Sequence, residues 1–177
     1  MPLIRARSRP LLLFLALAAL ACTPTLDWRE VNVADTPLRL MLPCRAQQQE
    51  RTIQLAGQSV RWRLLVCSAG SHTFGVGWGN LGNPLVVGPA LAELLVASGA
   101  HVSASTDAAK PLRVPGATPH AGSQQVLLFG RRADGQPAQM ELALFTFGTT
   151  VFQVTVLGPS VTSEQATPLM DSLRIQP

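Results

Sequence analysis

The stretch 139-QMELALFTFGTTVFQVTVL-157 decides the fold. Its first part alternates with period two. Met140, Leu142 and Leu144 fall on one face of a strand, and Ala143, Phe145 and Phe147 on the other. Both sets are apolar, so the strand belongs in the middle of a sheet that is covered on both sides. Gly148-Thr149 turns the chain, and Val151 to Leu157 returns as a neighbour.

The pattern extends in both directions from there. Upstream, Gln125 to Arg131 reads as a strand and Asp134-Gly135 as its hairpin turn. Leu38, Leu40 and Leu42 alternate with Arg39 and Met41, which is the signature of a half-buried strand. Arg51 to Ala56 and Val60 to Cys67 read as two strands around a turn at Gly57-Gln58, and Thr73 to Trp78 as another. A helix is expected from Gly88-Pro89, with Leu91, Leu94 and Leu95 as its apolar stripe and Gly99 as its end. Residues 103 to 123, rich in Ser, Ala, Pro and Gly, read as a long connection with a short strand near Leu112 to Val114.

Downstream, Thr162 and Gln165 have capping-box spacing, and Ala166, Leu169, Met170 and Leu173 follow at helical intervals. Pro168 either kinks that helix or marks a shorter one capped by Thr167. No repeat and no dividing linker interrupts the chain. The expectation is one α+β domain over residues 37–177, an antiparallel sheet with flanking helices.

Composition agrees with such a domain. The 177 residues are 47% hydrophobic and 14% charged, with 14 Gly and 14 Pro. The usual charged share is about 25%. Disorder is excluded as a description of the whole chain, and the Gly and Pro content suits short strands and turns.

The N-terminus has a different character. Arg5, Arg7 and Arg9 precede an apolar run from Leu11 to Ala21, the layout of a signal peptide over residues 1–21. The run is too short to span a hydrocarbon core of about 30 Å as a helix. It ends Ala18-Ala19-Leu20-Ala21-Cys22, which resembles the lipobox of bacterial lipoprotein precursors. The usual leucine slot holds Ala19, and Leu20 follows it. The resemblance implies that the Cys22 thiol is diacylglycerated, that the signal is cut before it, and that the new amine is acylated. Ordinary secretion with cleavage after Ala21 is the alternative. Residues 22–36 would then be a lipidated tether to the cell envelope, facing the periplasm. Thr23, which is not Asp, points to the outer membrane.

Without the three arginines of the signal, 14 basic residues become 11, against 10 acidic ones. The mature chain is therefore nearly neutral, which removes the main support for a nucleic-acid partner.

Cys44 and Cys67 remain as a pair in an oxidising compartment. Antiparallel pairing about Gly57-Gln58 places Cys67 near the level of Gln48, with Cys44 four residues upstream. A Cα separation of about 6 Å is within reach. A bridge there closes a loop of about 22 residues and contributes about 3 kcal/mol. Two free buried thiols are the alternative, and no Cys-x-x-Cys points to redox work.

The order of strands, one helix, a long loop, a meander and a terminal helix is similar to the PsbP-like α/β/α sandwich. Three stretches carry the resemblance: Leu38 to Cys44, Pro84 to Leu95, and Phe145 to Leu173. It implies protein-binding or assembly roles and transfers no functional residue.

Tests for chemistry return little. Gly77-Trp-Gly79-Asn-Leu-Gly82 has the letters of a dinucleotide fingerprint. Asn83-Pro84 and further residues separate its third glycine from any helix start, and no acidic residue follows at the required distance. An irregular turn is the expected reading. His72, His101 and His120 have no metal-ligand spacing. Ser71 and His72 are neighbours, and on a strand they would point to opposite faces. Arg61 and Arg63 flank Trp62 as the solvated side of a strand, and Arg131-Arg132 flanks a hairpin turn. Trp28 is placed either against the bilayer interface or on the domain.

The reading is a lipid-anchored, periplasm-facing envelope lipoprotein acting as a binding or accessory module on envelope proteins, with no catalytic, metal or cofactor residue assigned. Its alternative is a carrier of a small apolar ligand between sheet and helices. An envelope hydrolase would require a polar pocket that gathers Ser71 or His72 with a distant carboxylate.

Overall fold

The computed structural model describes residues 26–102, 105–106 and 109–176. Residues 1–21, where a signal peptide is expected, and Cys22 lie outside the described residues. In chain order the strands are β1 (Arg29–Asn32), β2 (Leu38–Leu42), β3 (Gln47–Leu55), β4 (Gln58–Ala69) and β5 (His72–Asn80). A 3-10 turn (Pro84–Val86) leads into helix α1 (Val87–His101). Then come β6 (Ser105–Thr106), β7 (Lys110–Pro111), β8 (Gln124–Arg131), β9 (Pro137–Phe147) and β10 (Thr150–Gly158), followed by helix α2 (Ser163–Met170) and β11 (Arg174–Ile175).

The large antiparallel sheet runs β3-β4-β5-β10-β9-β8-β6, with β7 also on β8. A small sheet runs β1-β2-β11. Period-two alternation divides the core in two. On one face Trp62, Leu142, Leu144 and Val151 pack with Val87, Ala90, Leu91 and Leu94 of α1. On the other, Phe74, Val76, Phe145, Phe152 and Val154 are covered by the small sheet (Leu38, Leu40, Leu42, Ile175) and by Leu169 and Met170 of α2. β9 is central and apolar on both sides, as its alternation requires. The domain is α+β.

Two hydroxyls fasten the layers. Ser98 Oγ donates to Leu94 O (2.7 Å) and receives Gln153 Nε2 (2.7 Å), tying α1 to β10. Ser172 Oγ donates to Leu169 O (2.7 Å) and receives Met41 N (2.7 Å), tying the end of α2 to β2. Pro84–His101 has a mean hydropathy of 1.3, enough by composition for a membrane span. In the fold, α1 buries its leucine stripe on the sheet.

Several expectations need correction. The stretch Gly77–Gly82 is an irregular turn only at its end, where Gly82 sits at φ +66°: Gly77 and Gly79 lie within β5, which extends the strand expected over Thr73–Trp78 to Asn80. Gly77 and Gly79 face the α1 side, where the Trp62 ring of β4 occupies the space above them. A Cβ on Gly77 would stand 2.5 Å from the Trp62 ring, and one on Gly79 3.1 Å from it. The segment 22–36 is not all tether, because Arg29–Asn32 pair with β2. Trp28 docks edge-on against Phe74, with ring centroids 5.9 Å apart. Helix α1 continues through Gly99 to His101. Leu112 to Val114 is not a strand; the described part of that connection pairs at Ser105–Thr106 and Lys110–Pro111 instead. The terminal helix keeps its Thr162–Gln165 capping box and holds Pro168 in its last turn, so Thr167 is no cap. It stops at Met170, and Arg174–Ile175 return to the small sheet beside β2.

Candidate functional site

One row of residues crosses the large sheet on the face away from α1. In cross-strand register it reads Glu50, Arg63, Trp78, Phe152 and Phe145. Ser123 lies one step beyond the Gln124–Leu144 pair, at the level of Phe145. Phe145 and Phe152 stack at 5.0 Å with 13° between planes, so the middle of the row is closed by aromatic rings. A concavity opens at each end.

The larger one has a volume of about 600 Å³ and lies between loop 111–123 and Phe145. That size is typical of small-molecule sites. The loop is held open by its own backbone. Leu112 N donates to Ser123 O (3.1 Å), Thr118 N to Thr146 O (2.9 Å) and Ile175 N to Pro115 O (2.8 Å). Gly148 N donates to Thr118 Oγ1 (2.8 Å). Gly116 sits at φ +78°, where a Cβ would stand 2.3 Å from Ile175 O, so the two backbones cross at contact. Gly122 N donates to His120 Nδ1 (2.9 Å), which leaves the proton on Nε2 of the neutral ring. The wall is largely apolar, with Leu112, Val114, Ala117 and Phe145. Ser123 is 6% exposed and its Oγ has no partner among the described residues. A largely apolar wall with an unsatisfied hydroxyl, and with Arg113, Thr118 and His120 also in the lining, suits a mainly apolar guest that carries a hydrogen-bonding group.

The residues singled out in the sequence fall as follows. Cys22 lies outside the described residues. Cys44 and Cys67 form a disulfide with Cα atoms 5.9 Å apart. The β3–β4 register is two residues tighter than expected, pairing Gln47 with Val66, and it still brings the two sulfurs together. His72, His101 and His120 lie apart, and no group of three metal-ligating side chains occurs among the described residues. Arg131 Nη1 donates to Gly135 O (2.8 Å) across its hairpin.

Arg63 is more enclosed than a solvated strand face predicts. It is 22% exposed at the side chain and bridges Glu50 (3.0 Å) and Asp35 (2.8 Å). The hydrogen bond that Arg63 Nε donates to Glu50, and the charge of Asp35 beside it, hold the guanidinium above its ordinary range against the opposing effect of burial.

Ser71 and His72 do share a concavity of about 440 Å³ with Glu164. Ser71 lies in the turn at Gly70 rather than on a strand, which brings its Oγ to 3.4 Å from His72 Nδ1. His72 Nε2 donates to the Ser160 carbonyl at 2.7 Å, not to Glu164. The carboxylate therefore does not orient the ring, and the three do not form a relay.

No protein-family model matches the chain, and no curated protein matches it. Among solved structures, the chain is similar to a protein from Bacteroides thetaiotaomicron VPI-5482, at 12% identity and a TM-score of 0.42. The likeness covers 79% of this chain and 45% of that one, so the chain spans less than half of that protein's length.

Proposed function

We propose that this protein is an envelope lipoprotein, anchored through lipid on Cys22 and facing the periplasm, whose folded domain is a binding module. The observation that carries the binding role is the cleft of about 600 Å³ over Phe145, with its unpartnered Ser123 hydroxyl. The signal-like residues 1–21 and the Cys44–Cys67 bridge support the compartment. Helix α1, the large sheet and a far layer that includes helix α2 beside the small sheet support a PsbP-like sandwich, and Thr23 supports outer-membrane sorting.

Of the two forms of binding module, the cleft favours the carrier of a small apolar ligand over a module that acts on proteins alone. The ligand would lie under loop 111–123, not between the sheet and its helices, where both core faces are filled by side chains. Radiolabelled palmitate should enter the wild-type chain and not Cys22→Ser. Native mass spectrometry of the detergent-extracted chain should show a bound small molecule that is lost in Ala121→Trp. Equal palmitate labelling of both chains would refute the anchor, and retention of the ligand by Ala121→Trp would refute the cleft.

A further inference from the structure

We infer that the opposite end of the aromatic row is a second ligand site, which takes a carboxylate group. The pocket there holds about 250 Å³ and is lined by Asp35, Arg61, Arg63, Trp78 and Asn80, among others. Trp78 is 2% exposed, and its indole N–H has no acceptor among the described residues. An indole nitrogen only donates, so whatever completes it must accept.

The neighbouring groups ask for the same partner. Asn80 Oδ1 already receives Gly82 N (2.8 Å) and Thr149 Oγ1 (2.8 Å), which leaves the amide nitrogen as its open end. Arg61 meets Glu50 only through Nε at 3.4 Å and is 70% exposed at the side chain, so its terminal nitrogens remain available. Arg63 is already engaged by Glu50 and Asp35. The open ends of Trp78, Asn80 and Arg61 are therefore all donors, and Asp35 Oδ1 is the acceptor left beside them.

Charge selects among acceptors. Two guanidinium groups face two carboxylates, so the pocket is neutral when empty. A single negative charge, presented as two coplanar oxygens, matches the fork of Arg61 and the indole donor. A dianion would meet Asp35 and Glu50 at close range; a cation could reach only Asp35, beside two guanidinium groups, and would leave the indole unpaired, as would an apolar guest.

The test uses the full-length chain in detergent micelles with 15N-labelled tryptophan. Its three indole signals arise from Trp28, Trp62 and Trp78, and Trp78 is assigned by the signal lost in Trp78→Phe. Sodium acetate, against sodium chloride at equal ionic strength, should move the Trp78 signal saturably and leave Trp62, on the other face of the sheet, in place. Arg61→Gln, on an exposed side chain, should weaken that response about tenfold. An unmoved Trp78 signal, an equal response to chloride, or unchanged affinity in Arg61→Gln would overturn the site. Equal or stronger saturation by inorganic phosphate or methylammonium would overturn its assignment to carboxylate.

Discussion

The indole of Trp62 occupies the space in which any side chain at position 77 would have to stand, 2.5 Å from a Cβ built on Gly77. The glycine is thus half of a packing pair, and its partner is one strand away. Gly77→Ala should destabilise the domain by about 2 kcal/mol through overpacking. Trp62→Leu should cost about 3 kcal/mol through the cavity it leaves. Because the smaller residue makes room for the added methyl, the double variant should be more stable than the two losses added together. Urea denaturation of the four chains measures the coupling, and simple additivity would contradict the pairing.

Removing the Ser123 hydroxyl separates stability from binding. The Oγ is buried without a partner among the described residues, so Ser123→Ala should stabilise the free domain by about 1 kcal/mol. The same change should weaken ligand retention in the cleft. Thermal melts of ligand-stripped protein, read beside native mass spectra of unstripped protein, give the two signs. A loss of stability would mean that the hydroxyl is satisfied.

The Cys44–Cys67 bridge joins residues 23 apart in sequence. Replacing both by alanine should cost about 3 kcal/mol, and a reductant should lower the melting temperature of the wild type but not of the variant. Alkylation of the unreduced, unfolded chain should label neither cysteine. Labelling of both would mean that the bridge does not form in the cell.

His72 packs over Gly158, where a Cβ would stand 2.3 Å from the ring, and donates to the Ser160 carbonyl. His72→Ala should cost about 1 kcal/mol for that hydrogen bond. Ser71→Ala should leave the melt unchanged, because Ser71 is exposed. Neither variant should alter the rate at which the protein hydrolyses an activated ester. A selective loss of rate in Ser71→Ala would restore the hydrolase reading.

How far the sequence carried depended on period and range. The meander from Gln124 to Gly158 was legible because two apolar faces at period two admit one arrangement. The disulfide was legible because a hairpin register fixes which residues approach. Arg29–Asn32 and Arg174–Ile175 were not. Each is two to four residues long, and each becomes a strand only through a partner in β2 that local pattern does not reveal. Gly77 and Gly79 were read as turn residues because glycine in sequence signals freedom, whereas here it signals a large ring overhead. The cleft was invisible for a related reason. Its residues are ordinary loop residues, and only the crossing of Gly116 with Ile175 gives them a shape.

Arg39 pairs with Asn32 on one side and with Arg174 on the other. The two flanks of β2 therefore arrive at very different times when the polypeptide is delivered from its N-terminal end. The layer over the second core face is complete only when the final described strand adds Ile175 beside Leu38. Such a topology builds in a delay between the first pairing of β2 and the closure of its layer.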